Sequence, residues 1–428
     1  MVLQSLLIII YLYAAVRITR ADLFLRSLLL FIVALYGLQL VLATEDPYNF
    51  YRVSTATLFL FNLQIIFILI GIKVGISTKK KKVEFNASKV FNVRVSKSII
   101  VLQSVLLLLT VLRYNKMKAY VFSVGNMASL ARDYYFTDMY DSYSDMFLNS
   151  IVDSFIYVSF FLTFSLLLFV GEKRWKEWYV IITTILIVIL KTVTSLGRGV
   201  IVQLFIVFLL FFFYSYREDK KVFKKTVKPV SIGLASLVTI FFIITTLSRF
   251  DLEGSDFLYD NWEDFLLKPF ATYFYVPICA FDYGKERIFG DLVPMLGVAD
   301  LAAPIDLFLT PFRFIDHDII SINNILGSKM TPQFSFPSGE RWNALFTGAS
   351  NYFIDFGFLG FIIFPFIHGL LLAKVENRSK ASGAWFAVLV FLFLASFNHM
   401  KSSEIQSIST VFTLFWIFLI AKTKAISK

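Results

Sequence analysis

Apolar residues run in blocks of about 20 along most of the chain, with short polar stretches between them. A block of that length crosses a hydrocarbon core of about 30 Å as a single helix. The pattern predicts eleven spans, at about 2–16, 23–43, 53–76, 98–112, 149–171, 178–195, 199–216, 228–247, 351–372, 383–400 and 403–421. The expected fold class is therefore all-α: a polytopic integral membrane protein forming one transmembrane domain over 1–428. Two connections are much longer than the rest, at about 113–148 and 248–350.

Composition agrees with that pattern. Hydrophobic residues make up 57% of the 428 positions and charged residues 17%, well below the roughly 25% of an average soluble domain. Mean hydropathy is +0.72. A single cysteine, Cys279, excludes an internal disulfide and a cysteine-built metal cluster. The net charge of +11 raises the question of nucleic acid, but the placement of the charges answers it. With the N-terminus outside and the C-terminus inside, the inner connections hold about 26 of the 41 basic residues and about 7 of the 30 acids. This is the positive-inside bias of a membrane protein, so no nucleic-acid partner is expected. The KKKK run at 79–82 reads as a solvated, lipid-facing anchor. The apolar start, with Arg17 and Arg20 after it and no basic residue before it, predicts a retained first span.

In this topology Arg198, in TSLGRG, falls at the outer end of two consecutive spans. An arginine in mid-bilayer costs about 2.5–3.5 kcal/mol even on lenient scales. It therefore either snorkels to headgroups or meets a bound anion, with Lys191 one or two turns deeper. Arg249 and Arg341 fall at outer membrane ends as well. Guanidinium groups clamp phosphate oxygens in bidentate fashion, so the three are candidates for a diphosphate site.

The outer segments carry the remaining candidate chemistry. In RDYYFTDMYDSYSDMF, Asp138, Asp141 and Asp145 share a helical face among tyrosines, which suits either an interfacial helix or a carbohydrate. The segment 248–350 is rich in Phe, Leu, Ile and Trp and predicts packed, interfacial helices rather than disorder. Glu340 precedes Arg341, and Asp355 enters the next span, where it either pairs locally or does chemistry. His317, between two aspartates, and His399, at the outer end of a span, are candidate general bases, whereas His368 is expected near the inner face. The acidic pair in TEDPYNF, 44–50, is a further, weaker candidate. Scattered histidines give no metal-ligand spacing, so neither metal nor other cofactor is expected. No inner connection is large enough for a nucleotide, which places any chemistry outside.

TSLGRG before a long apolar span, then a long outer segment closing on FPSGERWNALFTGASNYFIDFGFLGF, resembles the bacterial O-antigen and capsule repeat-unit polymerases of the Wzy type. The shared motifs are the arginine of GRG and the Asn-x-x-x-Thr and Tyr-x-x-Asp-Phe-Gly-x-x-Gly patterns at 343–360. The resemblance implies a glycosyltransferase of the bacterial cytoplasmic (inner) membrane, active in surface polysaccharide, lipopolysaccharide or capsule synthesis. Its substrate would be an oligosaccharide repeat unit on undecaprenyl-type polyprenyl diphosphate, with a chain-length-regulating membrane protein as a further partner. The growing glycan would pass from its lipid diphosphate to the non-reducing-end hydroxyl of the incoming unit, with His317, His399, Glu340 or Asp355 as base and Arg198, Arg249 and Arg341 on the diphosphate. A lipid-linked oligosaccharide flippase and an O-antigen ligase remain the alternatives.

Overall fold

The computed structural model describes residues 2–20, 22–78, 90–91, 93–123, 143–170, 172–195, 199–218, 223–234, 236, 239–240, 262–299, 301–313, 321–322, 325–326, 334–335, 341–342, 347–400 and 408–422. The helices among them are α1 (Val2–Ile18), α2 (Leu23–Glu45), α3 (Thr55–Ser77), α4 (Lys97–Ser123), α5 (Tyr143–Asp153), α6 (Phe155–Phe169) and α7 (Trp175–Ser195). They continue as α8 (Gly199–Glu218), α9 (Trp262–Arg287), α10 (Ala302–Arg313), α11 (Ala349–Phe356), α12 (Gly360–Ser379), α13 (Gly383–Asn398) and α14 (Ile408–Lys422). The extended backbone paired among the described residues is a two-residue antiparallel ladder, Phe334 opposite Trp342 and Ser335 opposite Arg341. Among the described residues, seven stretches are long and apolar enough to cross a membrane, and α1, α13 and the α14 region are shorter apolar helices. The chain thus has the helices of a multi-pass membrane protein. The predicted span at 228–247 is described at 228–234, 236 and 239–240, where it is helical.

Contacts divide the chain into two compact units: Met1–Val83 with Leu267–Asn377 and Leu392–Val411, and Glu84–Leu266 with Arg378–Phe391 and Phe412–Lys428. In the first unit α3 and α12 approach until their backbones touch. A Cβ on Gly71 would overlap the Phe366 carbonyl, and one on Gly369 would overlap the Ile68 carbonyl. Lipid tails give apolar helices no hydrophobic reason to associate, so close backbone approach through small residues supplies the attraction. Polar side chains join α1 to α3 as well: Gln4 Nε2 donates to Asn62 Oδ1 at 3.2 Å and the Tyr11 hydroxyl donates to the same oxygen at 2.9 Å.

The core of the second unit is aromatic. Phe91 stacks on Phe169 at 4.0 Å and contacts Phe211, Tyr214 and Phe386. Residues 90–95 belong to the polar inner connection predicted at about 77–97, yet Val90, Phe91, Val93 and Val95 are all buried. Phe91, Val93 and Val95 recur at every second position, the period that puts side chains of an extended backbone on one face. Between α4, α6 and α7, Gln103 donates to Thr184 Oγ1 at 2.9 Å and accepts from Ser159 Oγ at 2.8 Å, which satisfies polar groups in an apolar setting.

Candidate functional site

In the first unit the described part of the resemblance segment, 347–360, folds around one histidine. Thr347 Oγ1 accepts from Ala349 N at 3.2 Å, capping the start of α11, and its hydroxyl donates to the His399 carbonyl at 3.1 Å. Gly348 N donates to that same carbonyl at 2.8 Å. A Cβ on Gly348 would overlap His399 Nδ1, so this position has room for the imidazole only because it is glycine. Tyr352, one turn along α11, lies between two rings, with His399 at 4.7 Å and Phe364 at 4.8 Å. From α2, the Tyr36 hydroxyl donates to the Ser396 carbonyl at 2.8 Å and Gln39 Nε2 donates to the Met400 carbonyl at 3.0 Å. The histidine is thereby fixed in backbone and ring. Its Nε2 is buried and takes no hydrogen bond among the described residues. An imidazole nitrogen in that state can accept a proton from a hydroxyl or return one.

Asp355 takes a different part. Its Oδ1 accepts from Ala299 N at 2.8 Å, while Met295 N and Leu296 N donate to the carbonyls of Ile354 and Asp355 at 2.9 and 3.0 Å. Asn351 Nδ2 adds a bond to the Ala299 carbonyl at 3.4 Å. The acid and the helix around it thus fasten residues 295–299 of the long outer segment to α11.

His368, expected near the inner face, pairs its Nε2 with Ser396 Oγ at 2.8 Å, three residues before His399. The predicted span at 351–372 is broken over Gly357–Leu359 and restarts at Gly360, and at 1.5 Å per residue His368 lies about 12 Å along α12.

Of the acids of TEDPYNF, Asp46 is held by the chain that follows it and by α9. Asp46 accepts from the amides of Phe50 and Tyr51 at 2.8 and 3.0 Å and from the Tyr275 hydroxyl at 3.1 Å. Asp282, on α9, was not singled out in the sequence. Its carboxylate accepts from Ser54 N at 2.7 Å, Ser54 Oγ at 2.6 Å, Thr57 Oγ1 and Lys285 Nζ at 2.6 Å. Burial alone would push Asp282 up, but the bonds from Lys285, Ser54 and Thr57 outweigh it and hold the carboxyl below its ordinary value.

The second unit holds a cluster of another kind. Arg113 Nη1 and Lys191 Nζ contact the same oxygen, Oδ2 of Asp153, at 2.6 and 3.0 Å. Each of the three sits within an apolar span, the usual mark of a functional charge. Lys191 was noted in the sequence; Arg113 and Asp153 were not, although an acid inside the block at 149–171 was a readable signal.

Arg198, Arg249, His317, Glu340, Asp138 and Asp141 lie outside the described residues, as does the side chain of Arg341, whose backbone forms part of the short ladder. The helices and these two clusters define a class, a multi-pass membrane protein with buried charges and a fixed histidine. No family model, curated protein or solved structure matches the chain.

Proposed function

We propose that the protein is a polyprenyl-diphosphate-dependent polysaccharide polymerase, working on the outer face of a bacterial cytoplasmic membrane. The observation that carries the reading is the convergence on His399 of the segment that carries the resemblance: Thr347 and Gly348 hold its carbonyl, and Tyr352 stacks on its ring. With the N-terminus outside, the charge bias puts this end of α13 on the outer side.

In this reading His399 is the base. Asp355 Oδ1 is engaged by Ala299 N, whereas His399 Nε2 has an open position. The acceptor hydroxyl gives its proton to the imidazole and its oxygen bonds to the anomeric carbon of the growing glycan. The bond from that carbon to the diphosphate breaks, and polyprenyl diphosphate leaves with the electron pair. Charge growing on the leaving oxygens needs cationic stabilisation, the role assigned to Arg198, Arg249 and Arg341.

The test is reconstitution of the purified protein with one lipid-linked repeat unit and no other acceptor. A ladder of lengths is expected, and Arg198→Ala and His399→Asn should each reduce it by roughly 100-fold or more, the range for loss of a charge stabiliser or a general base. Lipid-linked repeats left unextended by the wild-type protein would overturn the reading. A flippase would move them across the bilayer unextended, and a ligase would extend nothing without its separate acceptor.

A further inference from the structure

Three helices of the second unit bring Arg113, Asp153 and Lys191 together, and the two cations share one carboxylate oxygen. Beside them opens a recess of about 10 Å³ lined by Thr110, Arg113, Lys191 and Thr194. That space admits about one oxygen-sized atom. Its donors are strong and of one sign, a guanidinium and an ammonium. The two threonine hydroxyls now donate at 2.7 Å to the carbonyls of Leu106 and Leu190. Such hydroxyl hydrogens rotate, so each can turn toward an incoming acceptor.

We infer that this recess is an anion site that receives one non-bridging oxygen of a phosphoryl group carried by a lipid, the rest of the group resting at its mouth. Guanidinium and ammonium donors at one point suit phosphate oxygens. Asp153 serves as the anchor that holds both cations beside the recess. The cluster's position inside apolar spans favours a group delivered from the membrane over one arriving from water. The inference rests on the polymerase reading for its lipid carrier and extends the anion site proposed at Arg198, one or two turns from Lys191; its test involves no sugar.

The experiment uses the full-length protein in phosphate-free maltoside micelles. Acylation of Lys191 by a small amine-reactive ester is followed by peptide mass spectrometry, with Lys176 at the opposite end of α7 as the internal control. Polyprenyl monophosphate should slow labelling of Lys191 by about tenfold, as for a site nine-tenths occupied by mass action, and leave Lys176 unchanged. Equal protection by inorganic phosphate alone would keep the anion site and assign it a free occupant. Labelling of wild-type Lys191 at the same rate with and without either anion overturns the inference, and this readout does not depend on any variant folding.

Discussion

The acids of the two units do different work. In the first unit Asp355 and Asp46 accept from neutral donors, the Ala299 amide and the amides of Phe50 and Tyr51, and Asp282 accepts from the Ser54 amide and hydroxyl beside a single cation, Lys285, on its own helix. Each ties a loop to a helix. In the second unit Asp153 faces two full cations across three helices. A carboxylate that accepts from amides is stabilised where it stands and leaves no charge elsewhere. One that holds two cations ties charged side chains of neighbouring helices together in an apolar place, where charge costs most. The acids of the first unit therefore read as fastenings, and Asp153 as the support of a cationic site.

The largest test of that contrast is Asp153→Ala. Removing the carboxylate leaves Arg113 and Lys191 without their shared partner, and a loss of about 3 kcal/mol is expected, the scale for breaking a buried ion pair. Thermal unfolding in detergent measures it; a loss no larger than that of Asp355→Asn would break the contrast. Next comes Gly348→Ala, whose new methyl would overlap His399 Nδ1. It should destabilise by about 2 kcal/mol, as overpacking does, and displace the imidazole, so polymer formation should fall further than stability. Asp355→Asn keeps an oxygen for the Ala299 amide and should cost only about 1 kcal/mol, read from the same melts.

The smallest effect concerns Asp282. Its folded pKa lies below the ordinary value, so its contribution is complete above the unfolded value of about 3.9. That contribution is lost as pH falls through the lower folded value. The stability difference between wild type and Asp282→Asn should be constant down to about pH 4 and shrink below it. A difference that instead declines between neutral pH and pH 5 would show that Asp282 is not held low.

Much of this was readable in the chain. Apolar runs located the helices, because a length of about 20 residues has few other meanings in so hydrophobic a sequence. The break at Gly357–Leu359 was signalled by the glycines of GFLG but lost in a run that hydropathy alone reads as continuous. The burial of Phe91 was masked by the lysines around it. For Asp355 the open readings were a local arginine or a chemical role; the observed partner, a backbone amide 56 residues away, has no sequence signature, since every residue but proline supplies one. The Arg113–Asp153–Lys191 cluster was visible only as three separate charges at the ends of apolar runs. Which helices stand side by side is set by packing, and hydropathy does not encode it.

The glycine seam between α3 and α12 has a mechanical consequence. Two rods whose main chains interlock at Gly71 and Gly369 cannot slide lengthwise without first lifting apart. When the surrounding bilayer thins or thickens, the pair must tilt or stay put as a single strut, and adjustment falls to the rest of the fold.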